Sequence, residues 1–313
     1  MKKFIIKCLV FGLSIALFLN IYTKYSTKVM INTIGPSTGQ QIDFSFENVV
    51  DRDYNLLILG NSRIYRGVNP DKLDYSAYNF ANDEDSFNQC YYKLKYLESN
   101  NKHYKYIILG VDYFEFSFLE DERNKFYGKY LGQNYLKDYN SKQNVLEYLN
   151  DDKINGILNS KFTQTIRPVI KQLSGQKNII APNKLKENGQ YIVQGEAKTS
   201  DKVTRYSVML PKQKMYYDKI LLYAKEKSIP IFLVMPPARE NELKNYSSDT
   251  IEKYNKMFNQ AHLDNKNAYF LNYTNDKNFE LKDFIDISHL NKDAADRFTI
   301  ELNNDIKKRL NSK

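Results

Sequence analysis

The stretch Tyr54-Asn-Leu-Leu-Ile-Leu-Gly-Asn-Ser-Arg63 constrains this chain more than any other. Its apolar run, Leu56 to Leu59, is too short for a helix and halts at Gly60, which reads as a strand buried on both faces. Such a strand belongs to a parallel sheet covered by helices, so a helix is expected soon after it. Ser62 then stands at the carboxyl edge of the sheet, where α/β folds hold ligands and reactive groups. The same Gly-Asn-Ser is also consistent with a plain turn in which Gly60 and Asn61 relieve backbone strain.

The pattern repeats. Residues 77–81 read as a brief second strand, and 86–97 as a helix with Phe87, Tyr91, Leu94 and Leu97 on one face. Residues 106–111 form another apolar run. Farther on, helices are expected over 211–227, 249–264 and 293–310, with strands over 229–235 and 268–271. This alternation implies βαβ units with right-handed crossovers: an α/β fold in three layers, α/β/α, with a central parallel sheet. The expected organisation is an α/β domain over 53–112 and 211–313, interrupted by an inserted cap over 113–210. That insertion is polar and rich in Lys and Asn, with weak helical stretches near 144–149 and 165–173 and a loop-like tract around 176–198. It is either a loose cover or a lid that shapes an acceptor groove.

At the N-terminus, Lys2, Lys3 and Lys7 precede an uncharged stretch from Cys8 to Tyr22 that closes at Lys24. With Phe4 to Ile6 added, it approaches the ~20 residues of a transmembrane helix. No small-x-small cleavage pattern and no lipoprotein box accompany it, so residues 1–25 are expected to be an uncleaved signal anchor. The preceding lysines place the chain as a single-pass cell-membrane protein with its C-terminal domain outside the cytoplasm. Residues 26–52 would be stalk and lead-in.

Charge and residue counts narrow the chemistry. A net charge of +9 suits an anionic polymer partner, though scattered lysines are more often simply a solvated face. Without a clustered basic helix or an aromatic RNA-binding signature, no nucleic-acid partner is expected. Cys8 lies in the anchor and Cys90 is the other cysteine, so no intramolecular disulfide is expected. His103, His262 and His289 carry no His-x-His or His-Glu spacing, so neither a metal nor another cofactor is expected.

The second informative stretch, Asp283 to Asn291, precedes the C-terminal helix and contains Asp286 and His289. An aspartate three residues before a histidine can present both side chains to one site; it is also consistent with a helix cap near Asn291. Nucleophilic acyl transfer needs a hydroxyl, a base and a group that orients the base, and Ser62, His289 and Asp286 are the residues available. Arg63 would contact a carboxylate or phosphate on the substrate, or pair with an acidic loop. Tyr113, Phe114 and Phe116 sit on a substrate-facing loop or pack beneath the cap.

These motifs resemble the SGNH/GDSL hydrolase superfamily, over about residues 52–112 and 211–310. Gly60-Asn61-Ser62 corresponds to the family's Gly-Asp-Ser, and Asp286 to His289 to its Asp-x-x-His. The resemblance implies a flavodoxin-like sheet, a Ser62-His289-Asp286 triad, and Asn61, Arg63, Asn79 and Asp112 around substrate and oxyanion. Two blocks depart from the family. Its oxyanion glycine falls within 79–85, where no glycine occurs, and its Gly-x-Asn-Asp falls on Gly110 to Tyr113, with Asp112 at the asparagine. An ionised Asp112 would repel an oxyanion. Either it is neutral, or it points elsewhere, or Asn79 and backbone N–H groups stabilise the oxyanion. A lost donor costs on the order of a hundredfold in rate.

With its anchor, the chain is similar to the membrane-anchored SGNH-like proteins of teichoic-acid D-alanylation and exopolysaccharide O-acetylation, which work with a multi-pass membrane O-acyltransferase. The resemblance implies a serine esterase or O-acyltransferase whose partners are an anionic or glycan envelope polymer and such a membrane enzyme. A non-catalytic envelope scaffold of the same fold is the alternative. A third reading is a binding domain of unrelated α/β fold, in which Ser62 and His289 lie apart.

Overall fold

A computed structural model describes residues 1–33, 35–119, 123–139, 183–200 and 208–311. The expected helical stretches at 144–149 and 165–173 lie outside the described residues. The chain divides into two units, Met1–Ser37 with Asn150–Lys184, and Thr38–Leu149 with Leu185–Lys313. In the first, helix α1 (Lys2–Thr33) contains a segment, Lys2–Tyr22, of mean hydropathy 2.3. That segment is long and apolar enough to cross a membrane, a property that a signal sequence shares.

The second unit begins with α2 (Thr38–Asp51), β1 (Leu56–Leu59) and the short helix α3 (Ser62–Gly67). Next come β2 (Ala77–Asn79), α4 (Phe87–Ser99), β3 (Tyr106–Gly110) and α5 (Asn124–Leu136). Two short strands, β4 (Lys184–Leu185) and β5 (Tyr191–Ile192), form a separate ribbon. The α/β rhythm then resumes with α6 (Pro211–Glu226), β6 (Ile231–Met235), α7 (Glu240–Leu243), α8 (Ser248–Asp264), β7 (Ala268–Asn272) and α9 (Lys292–Asn311).

The five long-range strands make one parallel sheet in the order β2-β1-β3-β6-β7. This is the α/β/α arrangement that the apolar runs predict, because a strand buried on both faces needs helices on both. Alternate side chains face opposite layers. Leu57, Leu59, Ile107, Leu109 and Leu233 pack with α4, α6 and α8, while Ile58, Ile108, Phe232 and Val234 pack with α3 and α9. β6 starts at Ile231 rather than 229, since Pro230 has no N–H to give the ladder; its carbonyl still accepts from Ile107 N–H at 3.0 Å.

Two regions differ from expectation. Within the supposed stalk, α2 packs on the core through Ile42, Phe46 and Val49, a 4-then-3 spacing along one helix face. Within the supposed cap, α5 buries Tyr127 and Tyr135, and Tyr130 stacks on Phe46 with ring centroids 4.3 Å apart. The tract before residue 198 contains the β4/β5 ribbon, whose turn residue Asn188 accepts the Asn79 N–H at 2.9 Å. This covers part of the β2 edge.

The turn from β1 into α3 places Ser62. Gly60 adopts φ +145, and a Cβ there would lie 3.0 Å from the Gly110 Cα. A Cβ on Gly110 would meet Ile64 Cγ1 at 2.3 Å, so α3 rests directly on the end of β3. Gly110→Ala is therefore expected to cost about 1–3 kcal/mol by overpacking, read as a lowered urea midpoint at unchanged slope.

Candidate active site

Ser62 occupies the first position of α3, because Asn61 is extended and accepts the Arg63 N–H on its Oδ1 at 3.0 Å. The opposing loop is built as tightly. Phe284 and Leu290 form an antiparallel bridge, Ile285 N–H donates to His289 O at 2.9 Å, and Arg239 Nη1 donates to Asp286 O at 3.0 Å. Asn291 is the residue that caps α9, accepting the Ala294 N–H at 2.9 Å, which leaves Asp286 to face His289.

The structure brings Ser62, His289 and Asp286 together across more than two hundred residues of chain. Ser62 Oγ lies 2.7 Å from His289 Nε2, and His289 Nδ1 lies 2.9 and 2.8 Å from the two Asp286 oxygens. A carboxylate opposite Nδ1 puts the proton there, so Nε2 is the acceptor for the Ser62 hydroxyl. Burial alone would push the Asp286 carboxyl up. Hydrogen bonds from His289 and from the Ser288 and His289 N–H groups outweigh that and hold it at about 2. Burial lowers the His289 pKa from its ordinary value, Asp286 opposes that, and the Arg66 cation adds to the lowering. The dyad thus rests as ionised carboxylate and neutral imidazole, the state needed to take a serine proton.

The site opens into a cavity of about 550 Å³. The parallel rings of Phe114 and Phe118, 6.0 Å apart, form one wall, and Ile285 and Ile287 also line the cavity. Glu84, Glu196 and Lys198, besides Asp286, supply its charge. Among the described residues, no cluster of three or more His, Cys, Asp or Glu side chains fits a metal ion.

Three of the residues expected at substrate or oxyanion have other partners, and for Arg63 and Asp112 the acidic-pair and turned-away alternatives are the ones observed. Arg63 follows Ser62 by one position, about 100° around the helix, and so points into the protein. It is 4 % exposed, paired with Asp112, and donates to the carbonyls of Pro236 and Pro237 at 3.0 and 2.6 Å. Asp112 is therefore turned to Arg63. Asn79 spends its amide on the end of α3, donating to Ile64 O and Val68 O at 3.1 and 3.0 Å. Asn61 does line the cavity, but its side chain caps α3 and reaches Asp112 at 3.4 Å.

Two residues that the motifs did not single out flank the dyad or the turn. Arg66, one turn beyond Ser62 on the same helix face, pairs with Asp83 and approaches His289; its i,i+4 spacing from Ser62 was the available signal. Asn82 lies beside the Ser62 turn, its N–H donating to Gly60 O at 3.3 Å. Its side-chain amide nitrogen is buried without a partner among the described residues.

Arg63 and Asp112 have side chains 3 % and 4 % exposed, so removing one leaves the other charged and buried. Arg63→Ala is expected to destabilise the fold by about 3–5 kcal/mol in urea denaturation, because Arg63 also pairs with the buried Glu242 at 3.7 Å and its loss strands both carboxylates.

A family described as protein of unknown function (DUF1574) matches residues 159–299, a span that includes Asp286 and His289 but not Ser62. No curated protein matches the chain significantly. Among solved structures, one described as "a putative platelet activating factor from Streptococcus pneumonia" is similar at 13 % identity and a TM-score of 0.39. The match covers 94 % of this chain and 99 % of that one.

Proposed function

We propose that this chain is a membrane-tethered, extracytoplasmic serine esterase or O-acyltransferase that works through an acyl-serine intermediate. The observation that carries the reading is the 2.7 Å contact between Ser62 Oγ and a His289 ring whose other nitrogen faces Asp286. Ser62 Oγ attacks the acyl carbonyl as its proton passes to His289 Nε2, forming a tetrahedral oxyanion. The imidazolium, stabilised by Asp286, returns that proton to the leaving oxygen as its bond to the acyl carbon breaks. A glycan hydroxyl or water then attacks the acyl-serine, gives its proton to Nε2, and Ser62 is restored.

Oxyanion donors are assigned to what the turn leaves unpaired. The Ser62 N–H is at the first position of α3, where no intrahelical acceptor exists, and the Asn82 amide takes the part the family gives to a glycine or asparagine. A cell-surface polysaccharide or teichoic-acid-type polymer as acceptor agrees with the open cavity, the net charge of +9 and the apolar α1. In this reading a membrane-bound O-acyltransferase supplies the acyl group. The alternative, a non-catalytic scaffold that binds polymer or that membrane enzyme, is favoured by Asp112 standing where the family has a donating amide.

Covalent labelling of the full chain in detergent with a fluorophosphonate, read by intact mass, tests the proposal. The wild type is expected to label at one site, and Ser62→Ala and His289→Ala not at all. Asp286→Asn should slow labelling by about a thousandfold or more, and Asn82→Ala by on the order of a hundredfold. Because His289 must be neutral to act, the rate should fall as pH drops through a midpoint below the ordinary imidazole value. Folded wild-type protein that does not label would favour the scaffold.

A further inference from the structure

Arg66 is placed where a positive charge bears directly on the dyad. Its Nη1 lies 3.3 Å from His289 Nδ1 and 3.9 Å from Asp286 Oδ2. With the Nδ1 proton directed to Asp286, the Arg66 contact to that nitrogen is between two N–H donors, so it is not a hydrogen bond. It is a cation held against an imidazole edge. The guanidinium is fixed there by Asp83 in the loop after β2, through Nε–Oδ1 at 3.0 Å and Nη2–Oδ2 at 2.8 Å. The fork is 16 % exposed and the Asp83 side chain 21 %, so solvent screens the pair only in part.

We propose that Arg66 is a positioning residue that keeps the His289 imidazole neutral, and that Asp83 sets how strongly it does so. The inference rests on the proposed catalytic reading for its consequence, the pH range of the reaction, but not for its physics. A cation 3.3 Å from the ring disfavours a second proton, while the Asp83 carboxylate offsets part of that cation and favours the proton. The other charges near the ring are Asp286 on its own loop and Glu84, Glu196 and Lys198 around the cavity. None of these bonds the guanidinium as Asp83 does. The pair therefore has two arms of opposite sign on one titration, and the site keeps its base available into mildly acidic conditions.

The loop that carries Asp83 is itself constrained. Glu84, the next residue, adopts φ +59, an unfavourable conformation for a side chain of its size, and is paired with Arg123 at 3.2 Å. Two arginines thus hold successive acidic residues of this loop, Arg66 pairing with Asp83 and Arg123 with Glu84.

The test uses the chain's scarcity of histidine. With only three His residues in the sequence, the ring ¹³C–¹H signals of the ¹³C-His-labelled full chain in detergent can be assigned by His289→Gln and titrated individually. Arg66→Gln is expected to raise the His289 midpoint by about one unit, and Asp83→Asn to lower it. Arg66→Lys, which keeps the charge, should restore most of the wild-type value. Both neutral variants break the same ion pair, so a merely structural role moves the midpoint in the same direction in each, or not at all, and either result overturns the proposal. If Arg66→Gln does not fold, the downward shift in Asp83→Asn and the near-normal Arg66→Lys carry the test, and an upward or absent shift in Asp83→Asn refutes it. Fluorophosphonate labelling of the same proteins separates the two claims. Opposite NMR shifts without labelling would leave the charge arrangement standing and remove its catalytic meaning.

Discussion

The seating of α3 on the sheet is the constraint on which the rest depends. Gly60 and Gly110 let the ends of β1 and β3 meet without side chains between them, and Ile64 drops into the space that a Gly110 Cβ would occupy. From an adjacent face of the same short helix, the buried Arg63 grips Asp112 and two proline carbonyls after β6. Asn79 satisfies the carbonyls at its far end. Four neighbouring strands, β2, β1, β3 and β6, therefore fix the helix, and its first residue, Ser62, is held at a set height above the sheet. The partner loop reaches that height from β7 and α9, with Asn291 ending the loop as it caps the helix.

Helix phase then separates two arginines into two roles. Arg63, about 100° from Ser62, is drawn into the interior, where burial of a charge is tolerable only with the carboxylate and carbonyls it has found. Arg66, a full turn from Ser62, returns to the reactive face. The electrostatics of the site follow from this geometry: a carboxylate, an imidazole and a guanidinium are lined up, with Asp83 holding the guanidinium. The Glu115 carboxyl is buried, and burial together with the nearby Asp112 and Asp85 pushes its pKa well up.

What could be read from the sequence was what is encoded locally. The runs Leu56 to Leu59, Tyr106 to Gly110 and Ile231 to Met235 are short, wholly apolar and stopped by Gly or Pro, and such runs have few outcomes other than central parallel strands. Ser62, His289 and Asp286 could be singled out because each stands in a short motif next to a predicted element. The parts that were misjudged depend on direction or on unusual core chemistry. Arg63 and Asn79 are polar residues beside the serine, and only the orientation of α3 shows that both serve the fold. α2 was hidden because its face rests on a few apolar residues in a polar segment. α5 was hidden because its buried face is built from tyrosines, and because Gly132 at φ +73 breaks its period.

The central claim is that Ser62 is an activated nucleophile. Its most direct measurement is rapid quenching of the full chain after mixing with an activated aryl ester, followed by peptide mapping at several pH values. One acyl group is expected on the Ser62 peptide, formed before steady turnover, lost on further incubation, and absent in His289→Ala. Acyl groups found only on lysines, or equally on Ser62 with and without His289, would contradict it.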